Sequence, residues 1–174
     1  MSTVDVVIPC YNYARYLRGC VHSVLSQPNV DVRVLVIDDA SSDETPTVGQ
    51  ELAAADNRVT FRRHETNRGH IATYNEGLIG WSTADYTVLL SADDLMTRGC
   101  LDRAVSIMNA APSIGMVYGR TIHFEREADL PEIDPCNFGF RRWSGADWLR
   151  LRCHAGYNVI TSPEVVVRGE IQRA

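Results

Sequence analysis

The sequence predicts an α/β fold, a mostly parallel sheet with helices on both faces. Three observations carry that prediction. Short apolar runs rich in β-branched residues alternate four times with segments of helical periodicity. Polar or acidic residues follow directly on the first, second and fourth of those runs, as they do where open parallel sheets present ligand-binding loops at strand carboxyl ends. With 45% hydrophobic and 22% charged residues in a chain of 174, there is enough apolar side chain for one sizeable core and too much for disorder.

Residues 4–9 are the first strand, a β-branched run interrupted by Asp5 and closed by Pro9, which has no N–H for a ladder. The turn Cys10-Tyr11-Asn12-Tyr13 leads into a helix from Ala14, in which Leu17, Val21, Val24 and Leu25 recur at helical spacing until Pro28-Asn29 stops it. Residues 32–37 form the second strand and deliver Asp38-Asp39. In the polar loop that follows, Ser42 or Asp43 caps a helix running to Asp56, with Val48, Leu52 and Ala55 inward. Residues 59–63 read as a shorter strand nearer a sheet edge.

The loop 65–70 opens a helix through Tyr74, Leu78 and Ile79. Residues 86–90 are the fourth strand, ending at Ser91-Ala92-Asp93-Asp94, and the next helix turns Leu101, Val105 and Met108 inward before Pro112. Residues 114–124 read as extended, with Gly115 and Gly119 as points of bulge or close backbone approach. After Glu125 the texture changes: residues 125–135 are acidic and proline-bearing, a linker by composition. Phe140, Trp143 and Trp148 then cluster; Trp143 and Trp148 read as core of a second part, with an acceptor platform as the alternative, and residues 163–167, Pro163 and Glu164 included, are strand-like.

Composition narrows the function classes. A net charge of -5 argues against nucleic acid, whose binders need a basic face. All seventeen Lys+Arg positions are arginine, so a Walker-type lysine, a Schiff base and a lysine nucleophile are excluded. Any phosphate must be held by arginine, backbone amides or metal. The five cysteines lack paired spacing, which points to reduced thiols rather than a zinc site or disulfide framework. No apolar run approaches the roughly 20 residues needed to span a bilayer, and no signal sequence opens the chain, so the expected setting is cytoplasmic with no integral membrane segment.

In a parallel sheet, the loops carrying Tyr11 and Asn12, Asp38 and Asp39, and Asp93 and Asp94 share one edge and can converge on one crevice. An aromatic ring to stack a base, one carboxylate to accept from base or ribose and another to hold a metal suit a nucleoside diphosphate. Mn2+ or Mg2+ is the natural cation, because it binds through one or two carboxylates with substrate phosphates completing the shell. Arg68 can add a charge-assisted contact. Each residue also has a plainer reading: helix-capping acids, a tyrosine packed on a helix, a solvated arginine. His70 opens a helix facing the crevice, whereas His22, His64, His123 and His154 show no ligand spacing and read as structural or solvated. Cys10 reads as a small buried filler.

A phospho-receiver domain would need a lysine, a dinucleotide oxidoreductase a Gly-x-Gly-x-x-Gly after the first strand, and a calcium loop at residues 39–45 a mid-loop glycine and closing glutamate. All of these are missing.

Several motifs resemble a known family. Val6-Val7-Ile8-Pro9-Cys10-Tyr11-Asn12, the run from Val36-Ile37-Asp38-Asp39 to Thr45, Asn67-Arg68-Gly69, Asn75-Glu76-Gly77 and Ser91-Ala92-Asp93-Asp94 are similar, in order and spacing, to the inverting family 2 glycosyltransferases. The resemblance implies the GT-A (Rossmann-like) fold and transfer of a sugar, with inversion, from a nucleoside-diphosphate sugar of UDP or dTDP type to an unknown acceptor. Residues 1–125 would be the nucleotide-sugar-binding domain, and 126–174 a linker and the start of an incomplete acceptor half. By the same resemblance Pro9, Tyr11 and Asn12 belong to the nucleotide pocket, Asp39 bonds the base, Arg68 reaches the nucleotide, Asp93 meets ribose or metal, and Asp94 is the principal metal ligand. The family's general base is expected beyond Ala174, since Asp134, Asp147 and Glu170 stand in no matching context. A nucleotide-sugar-binding module without catalysis is the alternative.

Overall fold

The computed structural model describes residues 1–124, 139–156 and 165–174. Its elements run β1 (Thr3–Cys10), α1 (Ala14–Leu25), β2 (Asp31–Asp38), α2 (Thr45–Ala55), β3 (Val59–Arg63), α3 (His70–Asn75) continued by a π-helical segment (Glu76–Trp81), β4 (Tyr86–Leu89), α4 (Cys100–Ala110), β5 (Met116–Tyr118), α5 (Gly145–Ala155), β6 (Val165–Arg168) and α6 (Gly169–Gln172). The strands form one sheet in the order β3-β2-β1-β4-β6-β5. β1 to β4 are mutually parallel, and β6 lies antiparallel between β4 and β5. The sheet is therefore mostly parallel, with β3 at one edge as its short polar-flanked sequence suggests.

Alternation along the strands divides the core into two layers. Val4, Val6 and Ile8 of β1 and Val32, Val34 and Val36 of β2 pack with Leu17, Cys20, Val21 and Val24 of α1, Val48 of α2 and Leu101, Val105 and Met108 of α4. Val7, Leu35 and Ile37 face the other way and meet Leu78, Tyr74, Trp81 and Leu89. Burying each of these aliphatic side chains contributes roughly 1.5 to 3 kcal/mol, which is why the period-2 runs and the period-3.6 stripes of the sequence report the layers so directly.

Asp5 sits on this second face, fully buried in the central strand. Its Oδ1 accepts Arg33 Nε at 2.8 Å, and its Oδ2 accepts Arg33 Nη2 at 2.8 Å and the backbone amides of Thr83 and Ala84 at 2.7 and 3.0 Å. The acid that interrupts the first apolar run is thus a satisfied tie between β1, β2 and the chain entering β4.

Four expectations about individual side chains and strand limits change. Ala55, at the last turn of α2, is exposed, and Ala53 packs on the core instead. Ile79 is 60% exposed because the wider π-helical turn carries it off the α3 face while Leu78 stays buried. The extended stretch after Ile114 forms a ladder only over Met116–Tyr118. Trp143 is exposed rather than core, Phe140 is exposed as well, and Trp148 is half-buried with its indole N–H donating to the Tyr118 hydroxyl at 2.9 Å. The acidic linker 125–135, Asp134, Cys136 and Glu164 lie outside the described residues.

Candidate functional site

The register of the parallel strands determines where the loops emerge. Cys10 of β1 is level with Asp38 of β2, and Val7 is level with Leu89 of β4, so the three strands release their chains along one edge. A pocket of about 390 Å3 opens there, lined by Pro9, His70, Tyr74, Leu89 and Ser91. His70 and Tyr74 stand with ring centroids 5.8 Å apart on one side of it.

The β1 and β2 loops are tied together through Asn12. Its backbone amide donates to Ser41 Oγ at 2.9 Å, and its side-chain oxygen accepts the Ser42 amide at 2.9 Å. Asn12 and Ala40 both adopt left-handed backbone, at φ 59 and 62. Asparagine tolerates that region, whereas for Ala40 it costs roughly 1 to 2 kcal/mol, held by the bonds on either side. Asp43 completes the junction: one carboxylate oxygen accepts the Ala14 amide at the start of α1 at 3.0 Å and the other the Thr45 amide at the start of α2 at 2.9 Å. Neither capping candidate of the sequence occupies the N-cap of α2, which falls on Glu44 without a side-chain cap; Asp43, one residue earlier, bonds the first helical amide instead. Tyr11, beside these ties, is 48% exposed and lies open on the edge.

Asp38 and Asp39 diverge in their surroundings. Asp38 is fully buried, its Oδ1 accepting the Ser41 amide at 2.9 Å and its Oδ2 standing 3.3 Å from Arg63 Nε, close enough for an ion pair but without hydrogen-bond geometry. Asp39 is also buried but reaches across to the loop after β3. Its Oδ1 accepts the Arg68 amide at 2.8 Å and faces His64 Nδ1 at 2.7 Å, and its Oδ2 accepts the Gly69 amide at 2.9 Å. Burial, the largest influence, pushes this carboxyl up. The Arg68 amide, the His64 ring and the Gly69 amide together outweigh it and hold the group below its ordinary value.

The network continues outward. His64 Nε2 lies 3.0 Å from Glu76 Oε2, which also accepts Arg68 Nη1 at 2.9 Å, and Glu76 Oε1 stands 3.5 Å from Arg62 Nη1. Here too burial pushes the Glu76 carboxyl up first, and His64, Arg62 and Arg68 bring it below its usual range. Sequence spacing marks His64 only as structural or solvated, and the structure gives it a structural place, nearly buried between two acids. Glu76 carries no signal beyond lying inside the Asn75-Glu76-Gly77 motif.

Asp93 and Asp94 follow Ser91 past the end of β4, Asp93 exposed and Asp94 half-buried. The Asp94 amide bonds back to the Ser91 carbonyl at 3.1 Å, making a tight turn under the acid pair. Both acids act on the buried Cys20 thiol, whose pKa is raised mainly by burial and further by Asp94 and Asp93. Among the described residues no three His, Cys, Asp or Glu side chains form a metal-binding cluster. Asp93 and Asp94 are hard oxygen donors of the kind that could hold a Mn2+ or Mg2+ together with substrate phosphates. Burial pushes the Cys10 thiol up to about 11, so this residue at the end of β1 is an inert filler.

The sequence profile described as Glycosyl transferase family 2 matches residues 5–159. Escherichia coli chondroitin synthase is 29% identical over 127 residues, which is 73% of this chain and 18% of that protein. The mannosyltransferase PcManGT from Pyrobaculum calidifontis, solved in complex with GDP-Man and Mn2+, is 27% identical with a TM-score of 0.60 over 72% of this chain and 36% of its own. S. aureus TarS 1-349 matches in fold, at 20% identity and a TM-score of 0.66, over 97% of this chain and 48% of that one. The chain therefore spans less than half the length of each of these proteins. Among the described residues no helix is long and apolar enough to cross a membrane.

Proposed function

The chain belongs to glycosyl transferase family 2, and from that premise we propose that it carries the donor site of an inverting, divalent-metal-dependent enzyme that moves a sugar from a nucleoside diphosphate to an acceptor hydroxyl. The observation that carries this reading is the Asp39 carboxylate, held ionised by the Arg68 and Gly69 amides at the same sheet edge as the Pro9–Ser91 pocket and the Asp93-Asp94 turn. Tyr11, open on that edge, offers a face to the base, and Asp39 retains acceptor capacity on Oδ2 for a base N–H. Pro9 lines the pocket, Asn12 holds the loop, and Arg68 presents a half-exposed guanidinium steadied by Glu76.

In the proposed transfer the acceptor oxygen attacks the anomeric carbon as its bond to the diphosphate breaks. A Mn2+ or Mg2+ bound through Asp94, with Asp93 on metal or ribose, would neutralise charge on the leaving diphosphate. The acceptor proton goes to a general base that we do not assign to any described residue: Asp147 is taken up by Ser144 and Arg150, and Glu170 is exposed 3.9 Å from Arg168. Those engagements favour, as a second reading, nucleotide-sugar binding without turnover in this chain. The free thiols Cys10, Cys20, Cys100 and Cys153 support a cytoplasmic setting.

The neighbouring mannosyltransferase was solved with a guanine nucleotide, so the test compares bases. Calorimetric titration with UDP, dTDP and GDP, each with and without Mn2+, should show binding that Mn2+ strengthens, with UDP or dTDP preferred. Metal-independent affinity, or no binding to any of the three, would overturn the reading. Release of diphosphate from the matching sugar nucleotide separates the enzyme from the binding module.

A further inference from the structure

We propose that Ser23 and Gln27, together with Cys20, are positioning residues of this site: α1 and the turn that ends it hold the backbone on either side of Asp93 and Asp94 and so place the acid pair. The role toward a metal rests on the donor-site reading; the anchoring of the backbone does not.

Residues 94–97, between the turn that bears the acids and the start of α4, are neither helix nor strand, so their peptide groups must find partners outside a ladder. α1 supplies them. The Cys20 thiol donates to the Ser91 carbonyl at 3.4 Å, the same oxygen that accepts the Asp94 amide at 3.1 Å. The Ser23 hydroxyl donates to the Cys20 carbonyl at 2.7 Å, which leaves its oxygen to accept the Met96 amide at 3.0 Å. Gln27 Nε2 donates to the Ser23 carbonyl at 3.0 Å and to the Thr97 carbonyl, 70 residues further on, at 3.1 Å. Its Oε1 accepts the Leu101 amide at 3.4 Å and the Cys100 thiol at 3.6 Å.

Steps of three and then four residues put these side chains on one side of the helix. Their partners follow one another along the loop, and the acids lie between the first anchor, at Ser91, and the second, at Met96. Leu90, Ala92, Met96 and Leu101 already bury this segment in the core, but apolar burial is non-directional. Hydrogen bonds add direction, because each accepts only a narrow range of angles. Gln27 is itself buried, and turning its amide over would set its oxygen against two carbonyls, so one orientation alone satisfies its partners. The chain is thereby fixed in rotation as well as in depth, and with it the two carboxylates.

NMR of the nitrogen-15-labelled chain reads the anchoring without ligand. In Ser23→Ala the Met96 amide should exchange with solvent about tenfold faster, and the Asp93 and Asp94 resonances should move with it; Ser23→Thr, which keeps the hydroxyl, should restore all three. Shifts confined to Met96 overturn the positioning role. Binding gives the second readout, with whichever of UDP, dTDP and GDP the wild-type chain binds best. The factor by which Mn2+ strengthens that binding should fall about tenfold in Ser23→Ala and in Gln27→Met, the equivalent of one hydrogen bond. It should keep its wild-type value in Ser23→Thr and in Val48→Ala, which loosens the same core from α2. A wild-type factor in folded Ser23→Ala and Gln27→Met, or an equal fall in Val48→Ala, overturns the role toward the metal. A wild-type chain that binds none of the three nucleotides, or binds them without help from Mn2+, overturns the donor-site reading and the metal role with it, while the NMR arm still decides the anchoring.

Discussion

The backbone amide of Arg68 donates to Oδ1 of Asp39 at 2.8 Å, joining the end of β2 to a loop 29 residues further along the chain. One buried carboxylate therefore shapes the loop, and in the proposed donor site its Oδ2 would also accept from the base.

Asp39→Asn should destabilise the chain by roughly 1 to 3 kcal/mol, because the amide turns donors toward N–H groups that need an acceptor. The carboxyl is held below its ordinary value, so its contribution is fully present above the unfolded value of about 4 and fades as pH falls through the lower folded one. Urea midpoints at neutral and acidic pH should converge for wild type and variant as the medium is acidified. A constant difference would contradict the assignment.

Asp94→Ala should abolish the strengthening of nucleotide binding by Mn2+ while leaving metal-free affinity in place. Tyr11→Ala should weaken binding with and without metal, by the roughly 1 to 3 kcal/mol of a base-stacking contact. Titrating both variants with the nucleotide that binds best checks the pair, and affinities equal to wild type in both would remove these residues from the site.

At Gly77 a β-carbon would overlap the Val7 side chain, whereas at Gly80, three residues on, it meets nothing within 4 Å. Gly77→Ala should cost about 1 to 3 kcal/mol from overpacking against β1. Gly80→Ala should be neutral or stabilising by up to about 1 kcal/mol. Thermal or urea unfolding of the two variants side by side measures the closeness of the π-helical segment to the sheet.

Asp5→Ala removes the acceptor for four N–H groups and should cost about 2 to 4 kcal/mol. Arg33→Ala should cost less, about 1 to 2 kcal/mol, because the Thr83 and Ala84 amides still hold the carboxylate and Arg33 is half-exposed. Chemical denaturation of the two variants tests the order, and a larger loss from Arg33 would reverse the account.

The strand and helix order through α4 was legible because each element there announces itself locally, by period and by its closing Pro, Asp or Asn. Placing β6 beside β4 was not, since antiparallel insertion depends on a partner about eighty residues away in sequence. Ile79 and Ala55 went astray where a π-helical turn and a fraying helix end break the 3.6 period. His64 is the sharpest case. Its partners lie 25 residues before it and 12 after it, and no spacing rule for metals or catalytic groups describes a histidine clamped by two acids.

By itself the sequence determined the layers, the glycosyltransferase family and the loops at the strand ends, because hydrophobic period and motif order are properties of neighbouring residues. Only the tertiary structure decided that Asp38 is buried in β2 while Asp39 holds the Arg68 loop, and that His64 bridges Asp39 to Glu76. Hydrogen bonds between side chains form according to distance in space, and that distance is set when the parallel strands bring their carboxyl ends to one edge.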